Sequence, residues 1–158
     1  HGNNTLNYSE SYYHLAPGLK WNNLTLQAGY ESLGGDGTAA FQTPLATLHA
    51  FNGWADKFLT TPANGLEDSY ARVSYKVSGV GTWADDTVLD LVYHDFDAED
   101  TSADYGDEWN AQISRTFKTE KTTYPFKEWT VSVKYADYDA KDLFTDTQKV
   151  WVTLGTKF

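Results

Sequence analysis

The stretch WTVSVKY, Trp129 to Tyr135, decides the fold. Every second residue is apolar (Trp129, Val131, Val133, Tyr135), and the residues between them are polar (Thr130, Ser132, Lys134). A period of two is that of a β-strand, whose successive side chains point to opposite faces. The apolar face is also ordered along its length, with a ring at each end and two valines between.

Working outward, the same alternation recurs in Tyr12–Trp21, Leu24–Leu33, Asp68–Ser78, Thr87–Phe96, Trp109–Phe117 and Gln148–Phe158, and Trp129–Ala136 completes a set of seven. Asn22-Asn23 is a tight hairpin turn between the first two. Gly79–Asp86 and Lys118–Glu128 connect strands at that same end, whereas Gly34–Glu67, Asp97–Asp107 and Asp137–Thr147 connect them at the other. Gly34–Glu67 is long for a loop and is expected to carry structure of its own. Thr43-Pro44 offers a helix cap and first turn, and Leu45, Leu48, Trp54, Phe58 and Leu59 follow at helical spacing. Gly53 is expected to divide this stretch into two short helices.

Composition narrows the class. The chain has 158 residues, enough for one domain, and its 16% aromatic content suits strands. Mean hydropathy is −0.55, and no apolar run approaches the ~18 residues of a membrane helix. That excludes a helical membrane protein but not a membrane barrel, whose hydrophobicity is spread over alternate residues. A net charge of −10 without a basic stripe argues against nucleic acid as a partner. With no Cys there are neither disulfides nor thiolate metal sites. There is no Met, and a chain that begins at His1 reads as processed or trimmed.

Alternation alone does not say which face meets water; the rings do. With strands running alternately up and down, Tyr13, Tyr30, Tyr93, Trp109 and Tyr135 fall at one level, and Trp21, Tyr75, Phe117, Trp129 and Phe158 near the other. Between them the same faces carry almost only Leu, Val, Ile, Ala and Pro, over spans of seven to nine residues. Membrane barrels carry aromatic girdles at both interfaces and cross with strands of about 9–11 residues. Arg115 is the exception on this face; near the lower girdle, a long side chain can snorkel to the interface. The expected fold is therefore all-β, an antiparallel up-and-down transmembrane β-barrel spanning residues 1–158, with the loop at 34–67 extracellular because outer loops are generally the longer ones. Bacterial barrels have even strand numbers, so seven strands point to part of a larger barrel, with its missing N-terminal part as a partner; the rival is a small complete barrel in which residues before Tyr12 supply an eighth strand.

Two stretches carry a family likeness. Val150, Val152, Leu154, Thr156 and Phe158 resemble the C-terminal signal of Gram-negative outer-membrane proteins. That likeness implies reading by the barrel assembly machinery and a setting of lipid bilayer and lipopolysaccharide. FQTPLATLHAFNGWADKFLTTPANGLED, Phe41 to Asp68, with LTLQAGYESLGGDG before it, resembles the porin-like proteins grouped with the alginate-export family. The resemblance covers most of the chain as a C-terminal portion. It implies a monomeric outer-membrane pore for small hydrophilic solutes.

The inward residues are then the candidates for function. Lys20, Arg72, Lys76, Lys134 and Lys149 face Glu31 and Asp90, with His94 on the same side. Charged rings set ion preference in pores, and this lining leans basic, consistent with a weak anion or sugar preference. Simple pairing of these charges across a wet lumen is the equal alternative. The loop residues Phe41, Leu45, Leu48, His49, Trp54 and Phe58 form either a constriction or a lid on the rim. The acidic runs Asp95, Asp97, Glu99, Asp100, Asp104, Asp107 and Asp137, Asp139, Asp142, Asp146 offer oxygen ligands for Ca²⁺ but match no EF-hand spacing. No other cofactor is expected. Enzyme function is not expected: Asp90 and His94 stand four residues apart along a strand, ~13 Å at ~3.3 Å per residue. No G-x-S-x-G or H-E-x-x-H motif is present. A structural or adhesive surface protein is the remaining alternative.

Overall fold

A computed structural model describes residues 9–43, 52–81, 83–118 and 128–157. Eight strands form one sheet: β1 (Tyr12–Leu15), β2 (Gly18–Trp21), β3 (Leu24–Leu33), β4 (Leu66–Lys76), β5 (Thr87–Asp97), β6 (Asp104–Lys118), β7 (Glu128–Ala140) and β8 (Thr147–Lys157). All pairings are antiparallel, and apart from β1, which pairs with β3, they join chain neighbours, so the sheet is a meander. β1 and β2 both pair with β3 and are two halves of one hairpin leg. The break falls at Ala16-Pro17, where proline brings no N–H to the ladder; the Pro17 carbonyl still accepts from Ala28 N at 3.1 Å. The seven expected strands are therefore present, the first of them split.

β1 and β8 are the two edges of the sheet and do not pair with one another, so the sheet is open. Successive antiparallel pairings make β1, β2 and β8 run in the same direction. Asn22, at φ 52°, makes the β2–β3 turn, using the left-handed conformation that asparagine tolerates.

Two expectations change. First, β6 and β7 climb beyond their expected ends: Gly106, Asp107 and Glu108 pair with Ala140, Asp139 and Tyr138. Their aspartate-rich sequence reads as loop, yet the ladder continues above the apolar band. A register shift beside Phe96 and Asp97 adds a bulge at this end, and Tyr105 is buried there. Gly106, at φ +103°, is required beside it, since a Cβ would stand 2.0 Å from the Asp139 carbonyl oxygen.

Second, residues 52–59 form no helix, and no helix occurs among the described residues. Helical spacing fails here because the backbone donors go elsewhere. Trp54 N and Ala55 N donate to Glu108 Oε1, at 2.5 and 2.8 Å. Gly53 (φ +77°) and Asp56 (φ 58°) adopt left-handed conformations that interrupt any helix. The first expected helix, including Pro44, Leu45, Leu48 and His49, lies outside the described residues.

The apolar core sits at the end from which the 34–67 loop emerges. Phe58 is buried among Phe96, Tyr105, Tyr138 and Phe144, at ring-centroid distances of 4.4, 5.9, 6.0 and 5.5 Å. Leu33, Leu66 and Ala136 complete it.

Candidate functional site

The sheet has two opposite faces, and burial separates them along the expected parity. The apolar series is the exposed one: Leu19, Leu26, Val73, Leu91, Ile113, Val133 and Val152 are all exposed, Val152 at 75%. The polar series is covered at its upper end, with Glu108 and Asn110 at 0% and Glu31, Asp68 and His94 nearly so, and is exposed lower down at Lys20, Arg72 and Lys76.

The rings of the exposed face form two bands. Tyr93 packs on Trp109 at 4.8 Å in the upper band, and Phe117 stacks on Trp129 at 4.4 Å in the lower. The bands cross the strands obliquely. Measured against the hydrogen-bonded register, the upper band drops two residues from Tyr13 to Tyr30, two from Tyr30 to Tyr93 and two from Trp109 to Tyr135. The lower band drops four between Tyr75 and Phe117. With no drop at Tyr93–Trp109, Trp21–Tyr75 or Phe117–Trp129, the mean is about one residue per strand, which at ~3.3 Å rise and ~4.8 Å strand spacing inclines the strands by roughly 35° from the perpendicular to the bands.

The covered face is closed at its upper end by residues 52–59, which touch six strands from one side, so the sheet curls around them. Asn52 Nδ2 donates to Glu31 Oε2 on β3 and to Asp68 Oδ2 on β4, at 3.0 and 2.9 Å. Trp54 and Ala55 hang from Glu108 on β6. Lys149 on β8 bonds the Ala55 carbonyl and pairs with Asp56 at 3.0 Å. Lys134 on β7 stands 4.2 Å over the Trp54 ring, with Trp151 at 5.1 Å. Phe58 reaches β5 through Phe96. Gly53 fits because it lacks a side chain: a Cβ would lie 2.4 Å from Glu108 Oε2.

Beneath the segment lies a polar cluster. His94 Nδ1 bonds both oxygens of Asp68, at 2.9 and 3.0 Å, and its ring stacks on Phe96. Tyr12 donates to Glu31 Oε1 at 2.7 Å, and Tyr70 meets His14 Nε2 at 3.1 Å. The Tyr70 ring lies across Gly29, where any Cβ would overlap it. A cavity of about 260 Å³ opens beside this cluster, lined by His14, Gln27, Tyr70, Arg72, Trp54 and Glu31 among others.

The sequence candidates fall into two groups. Glu31 and His94 are buried in the cluster, and Lys134 and Lys149 secure the 52–59 segment. Lower down, Arg72 pairs with Asp90 at 2.7 Å and Lys76 with Asp86 at 3.1 Å; Lys20 lies on β2 with the same parity. Asp90 and His94 do not meet, since each has another partner. Phe41 stacks on Tyr12 at 5.3 Å, which fixes the loop to β1. Sequence reasoning missed Asn52, Asp68, Glu108 and Tyr138. The acidic runs serve partly as turn acceptors: Asp104 takes Gly106 N, Asp142 takes Asp104 N, and Asp146 takes Ala140 N. Among the described residues, no three acidic or histidine side chains converge as a metal cage would.

No protein-family model, curated protein or solved structure matches this chain.

Proposed function

We propose that this chain is part of an outer-membrane porin that passes small hydrophilic solutes by diffusion along its polar face. The observation that carries the reading is the inverted burial: the apolar face is exposed between two aromatic bands, and the polar face is buried at its upper end under residues 52–59. The slope of the bands supports it, because strands of membrane barrels tilt by ~35–45°. In this reading the exposed face meets lipid, and Asn52–Leu59 is a fixed constriction rather than a movable lid, anchored to both halves of the sheet.

The open edges fit the same reading. No strand edge survives unpaired in a bilayer. Because β1 and β8 run the same way, an antiparallel closure needs an odd number of further strands between them. The paired Arg72–Asp90, Lys76–Asp86 and Lys149–Asp56 leave little unbalanced charge, so ion preference is weak. The aromatic packing around Phe58 favours a second reading, a structural or adhesive surface protein without a channel.

Liposome swelling separates the two. Vesicles carrying the full-length protein should swell in isosmotic solutions of small sugars, at rates that fall as the sugar grows. Swelling no faster than that of protein-free vesicles contradicts the porin reading.

A further inference from the structure

One charged side chain breaks the exposed apolar band. Arg115 on β6 faces outward between Ile113 and Phe117, opposite Thr87 of β5 and Val131 of β7. It stands two residues above the Phe117–Trp129 stack, inside the apolar zone. Its guanidinium lies 4.7 Å over the Phe117 ring, so the side chain bends down toward the lower band. Its Nε is buried and finds no acceptor among the described residues. Asp86 on the β4–β5 turn feels its charge but pairs with Lys76 instead; a guanidinium in that position is costly unless an anion bonds it.

An apolar crevice of about 480 Å³ includes Arg115 in its lining, with Leu89, Ile113, Val131, Trp83 and Trp129. Trp83 stands out from the β4–β5 turn and is 81% exposed. The crevice lies over β5, β6 and β7, away from both open edges, so strands that close the barrel would leave it uncovered. A hydrocarbon groove ending at a cation, at the height of the lower band, has the chemistry of a phosphate-bearing lipid seen side-on.

We propose that this crevice is a binding site for a phospholipid of the inner leaflet, with one acyl chain between Trp83 and Trp129 and the phosphate on Arg115. The proposal rests on the membrane reading above. It is tested on the full-length protein in dodecyl maltoside, with added phosphatidylglycerol and bound lipid counted by native mass spectrometry. The wild type should retain one phosphatidylglycerol, and Arg115→Gln should weaken retention about tenfold. Ile113→Trp, which fills the groove and leaves the cation, should weaken it as well. Diacylglycerol with the same chains should not be retained, and glycerol 3-phosphate should not displace the lipid. Retention by Arg115→Gln or Ile113→Trp within twofold of wild type overturns the site. So does equal retention of diacylglycerol, or displacement by glycerol 3-phosphate. Resistance of the protein to urea extraction from liposomes is scored in parallel. Extraction of the wild type brings down the membrane reading and the site with it; firm insertion with unchanged lipid retention brings down the site alone.

Discussion

Replacing Glu108 with alanine should release the constriction and raise single-channel conductance at least twofold in planar bilayers. Glu108 is fully buried and accepts from Trp54 N and Ala55 N. Without it, two buried N–H groups lose their acceptor, at about 1–3 kcal/mol each. Asn52 and Lys149 remain at the flanks of the segment, but its centre is no longer tied to β6. Glu108→Gln keeps an oxygen for both donors and should leave conductance within about 30% of wild type. The strands of the sheet do not depend on this contact, so both variants should keep the heat-resistant mobility of a folded barrel. Unchanged conductance in Glu108→Ala would mean that residues 52–59 do not narrow the solute path.

Arginine at position 133 should prevent stable insertion, whereas arginine at position 132 should be tolerated. Val133 is exposed on the apolar face between the bands, four residues above Trp129 and two below Tyr135, and Ser132 points to the polar side. A lipid-facing arginine near the bilayer midplane costs about 2–4 kcal/mol. That is a twenty-five-fold or larger loss in the inserted fraction, at about 1.4 kcal/mol per tenfold. The fraction of heat-modifiable protein in liposomes reads it directly. A protein in water predicts the opposite order, since Val133→Arg would then relieve an exposed apolar surface and Ser132→Arg would disturb the covered side.

The strands and their faces were legible because each follows from a local period. Leu19, Val73, Ile113 and Val152 were assigned to one face by alternation, and all four are exposed. The upper reaches of β6 and β7 were not legible, because Asp104, Asp107, Asp137 and Asp139 carry loop composition onto strand positions. Parity alone held the missing signal: Glu108 continues the inward series of Asn110 and Gln112, and Asp68 continues that of Tyr70 and Arg72. The contacts of the site needed more than parity. His94 meets Asp68 only because the register sets Tyr70 opposite His94 and Phe96 opposite Asp68, which makes the two diagonal neighbours. Residues 52–59 illustrate the same limit, since their helical spacing was real but their donors were claimed by a strand about fifty residues away.

The central claim is that the exposed face meets lipid. These 158 residues contain no cysteine; with any cysteine elsewhere in the full-length protein replaced by serine, single cysteines can be placed without background. Spin labels at each position from Thr130 to Lys134 in the full-length protein, inserted in liposomes, report collisions with oxygen dissolved in lipid and with a water-soluble nickel chelate. Labels at 131 and 133 should collide mainly with oxygen, and those at 130, 132 and 134 mainly with the chelate or with neither. Chelate-dominated collisions at 131 and 133 would contradict the account.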